Sequence, residues 1–173
     1  MSTVYARLLG EEGMAMLAPE CRALHATHRV VDGHVTVEAT SNPITRFVLW
    51  LFGFPTKSGE THISFVNKPH GETDTWERHI HGRVLESKLS IHNNALREDL
   101  FVLTALSQLE PNQGGLDLVD MRFRFFGLPV PRWASPSVVA RERPKDGGYG
   151  FDIEIETPWR SRLVRYHGVL ETL

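Results

Sequence analysis

The chain has 173 residues, 41% of them hydrophobic and 23% charged, a balance that suits one globular domain over residues 1–173 with no need of staples. Its net charge of −2 lacks the basic excess of a nucleic-acid binder, and its single cysteine, Cys21, rules out an internal disulfide. MSTVYARLLGEEGMAML, at the start, has no cationic cluster followed by an apolar core, so no secretory leader is read there and a cytoplasmic location is expected.

Residues 1–28 read as helical. Tyr5, Leu8 and Leu9 mark the apolar side of a first helix that Gly10 can end, and Pro19 suits the first position of a second, followed by Cys21, Leu24 and His25. Val30–Ala39 reads as a strand with Val31, Val35 and Val37 on one parity, and Asp32-Gly33 is a candidate turn within it. Pro43–Phe52 is the clearest helix: Asn42 or Ser41 can cap it, Pro43 fits its first position, and Gly53 and Pro55 stop it. Its only polar members are Thr45 and Arg46, so it must be covered on most sides or touch lipid or a ligand. The apolar run Phe47–Phe54 is far short of the ~20 residues that cross a bilayer.

Strand texture begins at Thr61, with Ile63 and Phe65 on one parity. Trp76 and Ile80 are even-numbered, whereas Leu85, Leu89 and Ile91 are odd; the flip predicts two strands, about 75–80 and 84–91, meeting at Gly82. Leu100–Leu109 is a further candidate strand, and Pro111–Gly115 a turn. Val119, Met121, Phe123 and Phe125 then face one way, and Asp120, Arg122 and Arg124 the other. After the loop GLPVPRWASP come Ser137–Arg143, a turn at Lys145–Gly148, and a strand with Tyr149, Phe151, Ile153 and Ile155 inward and Asp152, Glu154 and Glu156 outward. The last strand, Leu163–Leu170, places Val164, Tyr166 and Leu170 on one face. The basic Arg122/Arg124 face and the acidic 152/154/156 face are expected to oppose each other across strands. Strands this closely spaced pair antiparallel, and helices followed by strands define an α+β fold. The expectation is N-terminal helices plus a strongly curved antiparallel sheet, half-barrel or barrel, of about eight strands.

Trp76-x-Arg78 before Gly82-Arg83, GLPVPRWASP, ARE (Ala140–Glu142), FDIEIETP (Phe151–Pro158) and RLVRYHGVLE (Arg162–Glu171) occur in that order, together with NPITRFVLWLFGFP. On these motifs the chain resembles the bacterial domain of unknown function 4166 family from about residue 3 to the end. The resemblance carries no established activity. It implies one context, because similar domains also occur fused to saccharopine-dehydrogenase-like domains, and hence a dehydrogenase-like protein as a possible partner. The chain itself lacks a G-x-G-x-x-G loop.

Three kinds of site compete. His79 and His81, two apart on a strand, would project to one side and could share a metal with His62, His92 or Glu77, but no second cluster has ligand spacing, so no metal or cofactor is expected. The same histidines with Glu77, or Glu142 near Arg141, offer an acid–base pair, and so an enzyme, at low specificity among nine histidines and 21 acids. Cys21 reads as a small buried residue, the serines beside Pro136 lack a nucleophile-elbow pattern, and PNQGG lacks the lysine and helix of a phosphate loop. The favoured reading is a cavity for a small, mostly apolar, acidic or lipid-like ligand, lined by Trp76, Phe123, Phe125, Tyr149, Phe151 and Tyr166. The helix Pro43–Phe52 would plug or gate it, and Arg78 or Arg83 would pair with an acidic head group. Nucleic acid is excluded as a partner on charge, and a membrane surface is not favoured. GLPVPRWASP is expected to strap across the sheet's end, with Trp133 under cover, or to form a rim that a partner recognises.

Overall fold

A computed structural model describes residues 2–171. Helices α1 (Val4–Met16) and α2 (Pro19–Ala26) precede strand β1 (Arg29–Ala39), and α3 (Pro43–Leu51) links β1 to β2 (Gly59–His70). The chain then continues through β3 (Thr73–Ile80), β4 (Arg83–His92), β5 (Ala95–Leu100), β6 (Leu103–Asn112), β7 (Gly115–Phe125), the two-residue β8 (Leu128–Pro129), β9 (Ser137–Lys145), β10 (Gly148–Glu156) and β11 (Arg162–Leu170). Strands β1 to β6 pair in sequence, β6 pairs with β7, β7 with β9, and β9 leads through β10 and β11 back to β1. Every pairing is antiparallel, so ten strands close into a barrel and β8 hangs from the end of β7. Among the described residues no helix is long and apolar enough to cross a membrane.

The barrel exceeds the expected strand number because Ala95–Leu100 forms β5, whose LRED centre has no apolar alternation to betray it. Five of the hairpins turn on two residues that both have positive φ, among them His81-Gly82 (51° and 71°) and Gln113-Gly114 (51° and 75°). Such turns match the twist of the flanking strands and select Gly and Asn. His81 is therefore a turn residue and does not share a strand face with His79. Asp32-Gly33 makes no turn either. Strand β1 runs straight through it, and a Cβ at Gly33 would lie 2.0 Å from the Val169 carbonyl oxygen, so this glycine serves a close strand contact. Gly168, opposite Val35, has the same role: a Cβ there would lie 2.0 Å from the His34 carbonyl oxygen.

Strand β7 changes phase midway. Asp120 has φ 51°, and the register with β6 slips between Leu106 and Gln108, the mark of a bulge. Val119 consequently leaves the inward set, and Leu118 joins Met121, Phe123 and Phe125 inside. The acidic strand does not face Arg122 and Arg124, because β10 pairs with β9 and β11 and not with β7. Asp152 instead receives two 2.9 Å hydrogen bonds from Arg165 of β11, which hold its carboxyl below the usual range, and Glu154 pairs with Arg162.

Because every strand reverses direction, connections alternate between the two barrel ends. One end is capped by α1 and α2. There the Ala18 N–H donates to the Gly114 carbonyl at 2.7 Å, Arg7 donates to the Glu72 carbonyl at 2.7 Å, and Thr3 Oγ1 donates to the His25 carbonyl. The backbone breaks helical geometry at Gly10, where φ is 64°, so α1 is kinked where the sequence expects it to end. The first N–H of α1, on Val4, donates to Asp74 of β3 at 2.8 Å. The other end carries α3, capped by Asn42, whose side chain accepts from the N–H groups of Ile44 and Thr45.

Two predictions follow from this packing. Gly168→Ala should destabilise the barrel by about 1–3 kcal/mol in urea titration, because the new methyl meets backbone that cannot swing aside. Asp74 is fully buried; burial raises its pKa, and the Val4 N–H only partly opposes this. A raised folded-state value means that stability is lost as pH climbs from the ordinary aspartate value, about 3.9, through the folded one. Asp74→Asn should therefore gain on the native protein across that window, with the difference constant at higher pH.

Candidate functional site

Inside the barrel lies a cavity of about 420 Å³. Ten strands enclose more space than the eight whose interior side chains just fill a barrel. Its wall is mostly aliphatic and aromatic: Leu85, Leu100, Leu103 and Ala105 from β4 to β6, Leu118, Met121 and Phe123 from β7, Ile153 and Ile155 from β10, and Leu163 and Tyr166 from β11. At the helix-capped end the lining residues Tyr5, Trp76, Arg78 and Glu142 are buried. At the other end Val48 of α3 and Phe125 are exposed, so the cavity reaches the surface there, with Leu49, Phe52 and Phe54 leaning over the mouth. A second void, of about 40 Å³, adjoins the closed end and is lined by Tyr149 and Phe151 together with Trp76, Arg78 and Tyr166.

Seven of the eight side chains named from sequence therefore line one or both of these two spaces. Trp76, Arg78, Phe123, Phe125 and Tyr166 line the large cavity, and Tyr149 and Phe151 the small one. Arg83 does not. It begins β4 at the open end, donates to the Trp50 carbonyl at 2.7 Å and lies 5.0 Å from the centre of the Trp50 ring, so it tethers α3.

The closed end is polar, and its charged side chains are paired with one another. Arg78 Nη1 donates to Ser87 Oγ and Nη2 to Glu98 Oε1, both at 3.1 Å, while the guanidinium lies 5.2 Å from the centre of the Trp76 ring. Burial opposes the Arg78 charge, but Glu98 together with Tyr166 and Tyr5 outweighs it and raises the pKa. His25 Nε2 lies 2.6 Å from Glu142 Oε2 in a second buried pair, and the Tyr149 hydroxyl also bonds Glu142. Tyr5 stacks between His25 and Trp76, with ring centres 4.2 and 4.9 Å away. Burial pushes the phenols of Tyr5 and Tyr149 well up, and that of Tyr166 up to about 12, so all three stay neutral. The Trp76 Nε1–H is buried with no protein acceptor among the described residues.

Sequence reading named Glu142 only beside Arg141, and it missed Glu98, Tyr5 and the role of His25. The only local signal was inward parity: Glu142 shares it with Ala140 on β9, and Glu98 with Leu96 and Leu100 on β5. His79 sits on the outer face of β3, 3.4 Å from Glu77, which Lys68 holds ionised below the usual range. Neither His79 nor His81 lines the cavity. Among the described residues no group of three or more His, Cys, Asp or Glu could hold a metal ion. Cys21 is buried, its thiol pushed up to about 12 by burial, and so is inert.

These features define an α+β protein built on a closed antiparallel β-barrel with an apolar interior and a polar floor. Residues 17–170 match the model of the family described as Domain of unknown function (DUF4166), and the chain belongs to that family. No curated protein and no solved structure matches it. Helix α1 lies outside the matched span, although it contributes Tyr5 to the cavity floor.

The buried ion pair generates a prediction. Glu98→Leu alone leaves the Arg78 guanidinium buried without a counter-charge and should cost about 3 kcal/mol. Adding Arg78→Met should return most of that in a double-mutant cycle by urea denaturation; strictly additive costs would show that the pair is not coupled.

Proposed function

We propose that the barrel binds one small, mostly apolar molecule with its apolar body in the cavity and a polar end at the floor. The observation that carries this reading is the 420 Å³ of space, which falls within the range of ligand sites, about 300–1,000 Å³. Its wall is apolar except at one end, where Arg78, Glu98 and Glu142 are among the lining residues. Lost hydration of the ligand's hydrocarbon drives entry, at about 0.8 kcal/mol per buried CH₂.

The floor chemistry narrows the class. Arg78 is already paired with Glu98, and Glu142 stands nearby, so a bare carboxylate would enter beside two acids. A hydroxyl, carbonyl or amide can accept from Arg78 without that repulsion. The reading therefore favours a fatty alcohol, ester or sterol-like molecule over a free fatty acid. Saturation of the purified, delipidated chain with a long-chain alcohol and the matched acid, followed by native mass spectrometry, separates the two. We expect a 1:1 complex, tighter for the alcohol by at least tenfold, and lost in Ala105→Trp, which fills the cavity. A chain that carries no apolar adduct from any source would end the reading, and an acid that binds better would reassign the role of Arg78.

One observation favours a second reading, acid–base chemistry on the bound molecule. Glu142 faces the cavity and is backed by His25 and the Tyr149 hydroxyl, the arrangement of a base with an orienting partner. Under this reading Glu142, and not Glu77 with His79 or His81, moves the proton.

A further inference from the structure

The open end of the barrel has a surface that the cavity does not explain. Its most prominent side chains are aromatic and uncovered: Phe101 is 84% exposed, Trp133 82%, Trp159 74% and Phe126 70%, and Phe47 and Trp50 of α3 are exposed beside them. They come from five separate connections, namely 40–58, 81–82, 101–102, 126–136 and 157–161, which barrel topology gathers at this one end. The connections are linked physically. Phe126 N–H donates to the Val102 carbonyl at 2.9 Å, Phe52 packs on Phe125 with ring centres 6.5 Å apart, and Arg83 ties α3 to β4. Ile44 and Leu51 add exposed aliphatic surface to the same ring. Trp133, expected under cover, is the clearest departure: the proline-rich loop lifts it off the barrel.

Charge is divided in the same way. The five connections contain no aspartate or glutamate. They hold Arg46, Lys57, Arg132 and Arg160, all exposed; on the adjoining strand ends Arg124 and Glu60 are exposed and Glu156 is half-buried. None of these five cations is in an ion pair among the described residues. The helix-capped end has the opposite character: in its helices and turns Glu11, Glu12, Glu20, Glu72 and Asp146 outnumber Arg7 and Arg22. The molecule thus has a cationic aromatic pole at the cavity mouth and an acidic pole opposite.

We propose that the open end docks on an anionic phospholipid bilayer surface, with α3 and the Trp133 and Trp159 loops lying in the headgroup layer and the cavity mouth facing lipid. Indole and phenyl rings favour the bilayer interface, and unpaired cations beside them are drawn to anionic headgroups. The acidic pole orients the approach, since it is repelled by the surface that attracts the mouth. A second copy of the chain is a poorer occupant, because a twofold contact would bring the same unpaired cations face to face. The inference goes beyond ligand binding and does not depend on it: docking requires the rim alone.

The test uses the full chain and sucrose-loaded vesicles of phosphatidylcholine, with or without phosphatidylglycerol. We expect co-sedimentation with the anionic vesicles, at least tenfold weaker on pure phosphatidylcholine, and weakened by salt because the cations are exposed. The triple variant Arg46→Glu, Arg132→Glu, Arg160→Glu should lose at least tenfold in affinity while its melting temperature and ligand uptake stay native. Glu12→Lys, at the far pole, should not lose affinity. Brominated lipid should quench the rim indoles Trp50, Trp133 and Trp159, and a Trp133→Ser, Trp159→Ser variant should lose most of the quenched signal. Equal binding to both vesicle types, no binding to either, native binding by the charge-reversed variant, or a stable dimer that hides the rim from vesicles would each overturn the proposal. Vesicle binding without ligand uptake would instead sink the cavity reading and leave this one standing.

Discussion

The structure depends on closing ten antiparallel strands around a centre that their own side chains do not fill. Closure removes the free edges on which an open sheet of this size would aggregate. It also fixes a circumference, and at ten strands that circumference is larger than side chains from opposite walls can span. Phe123, Met121 and Tyr166 therefore line the interior and do not fill it. Strand β7 is where the constraint is met. It pairs with β6 along its length but with β9 only over Leu116–Leu118; past the Asp120 bulge it turns away and takes up β8. The wall stays continuous at the helix-capped end and loosens toward the mouth, where α3 and the Gly127–Pro136 loop stand over the gap.

From that asymmetry follows the polarity of the molecule. Where the barrel is sealed, polar groups that enter it are cut off from water and must satisfy one another. Arg78 with Ser87 and Glu98, and His25 with Glu142 and Tyr149, are the two resulting groups. Tyr5, delivered by α1 from outside the family-matched span, stacks across both. Where the barrel is open, apolar side chains need no partner inside the fold and stand in solvent. The interior is thus graded from a polar floor to an apolar mouth, and the outer surface from an acidic pole to a cationic, aromatic one. An amphipathic ligand inside and a charged interface outside would be oriented along the same axis.

Much of the wall was legible because a strand's side chains alternate with period two, and a run such as Tyr149-Gly-Phe151-Asp-Ile153-Glu-Ile155 admits only one inward face. Reading failed where the phase shifts. Val119 is displaced by one residue at the Asp120 bulge, His81 by a two-residue turn, and Asp32-Gly33 looked like a turn although Gly33 only makes room for β11. The missed floor pairings have a different cause. His25 and Glu142 are separated by 117 positions, and no local pattern says which distant strand a charged residue will meet. The same ignorance of partners made Arg122 and Arg124 look like counter-charges to Asp152, which Arg165 holds instead.

By itself, then, the order of residues determined the class of fold, the inward faces of most strands, the caps of α3 and the membership of a family, because each of these is written in contacts between near neighbours. It also placed most of the large side chains that border the cavity. The closed circle of ten, the void at its centre, the pairing of Arg78 with Glu98 and the gathering of five loops into one cationic aromatic rim were decided only by the tertiary structure. They arise from which strand lies beside which, and that is chosen by closure of the whole sheet and not by any segment of it.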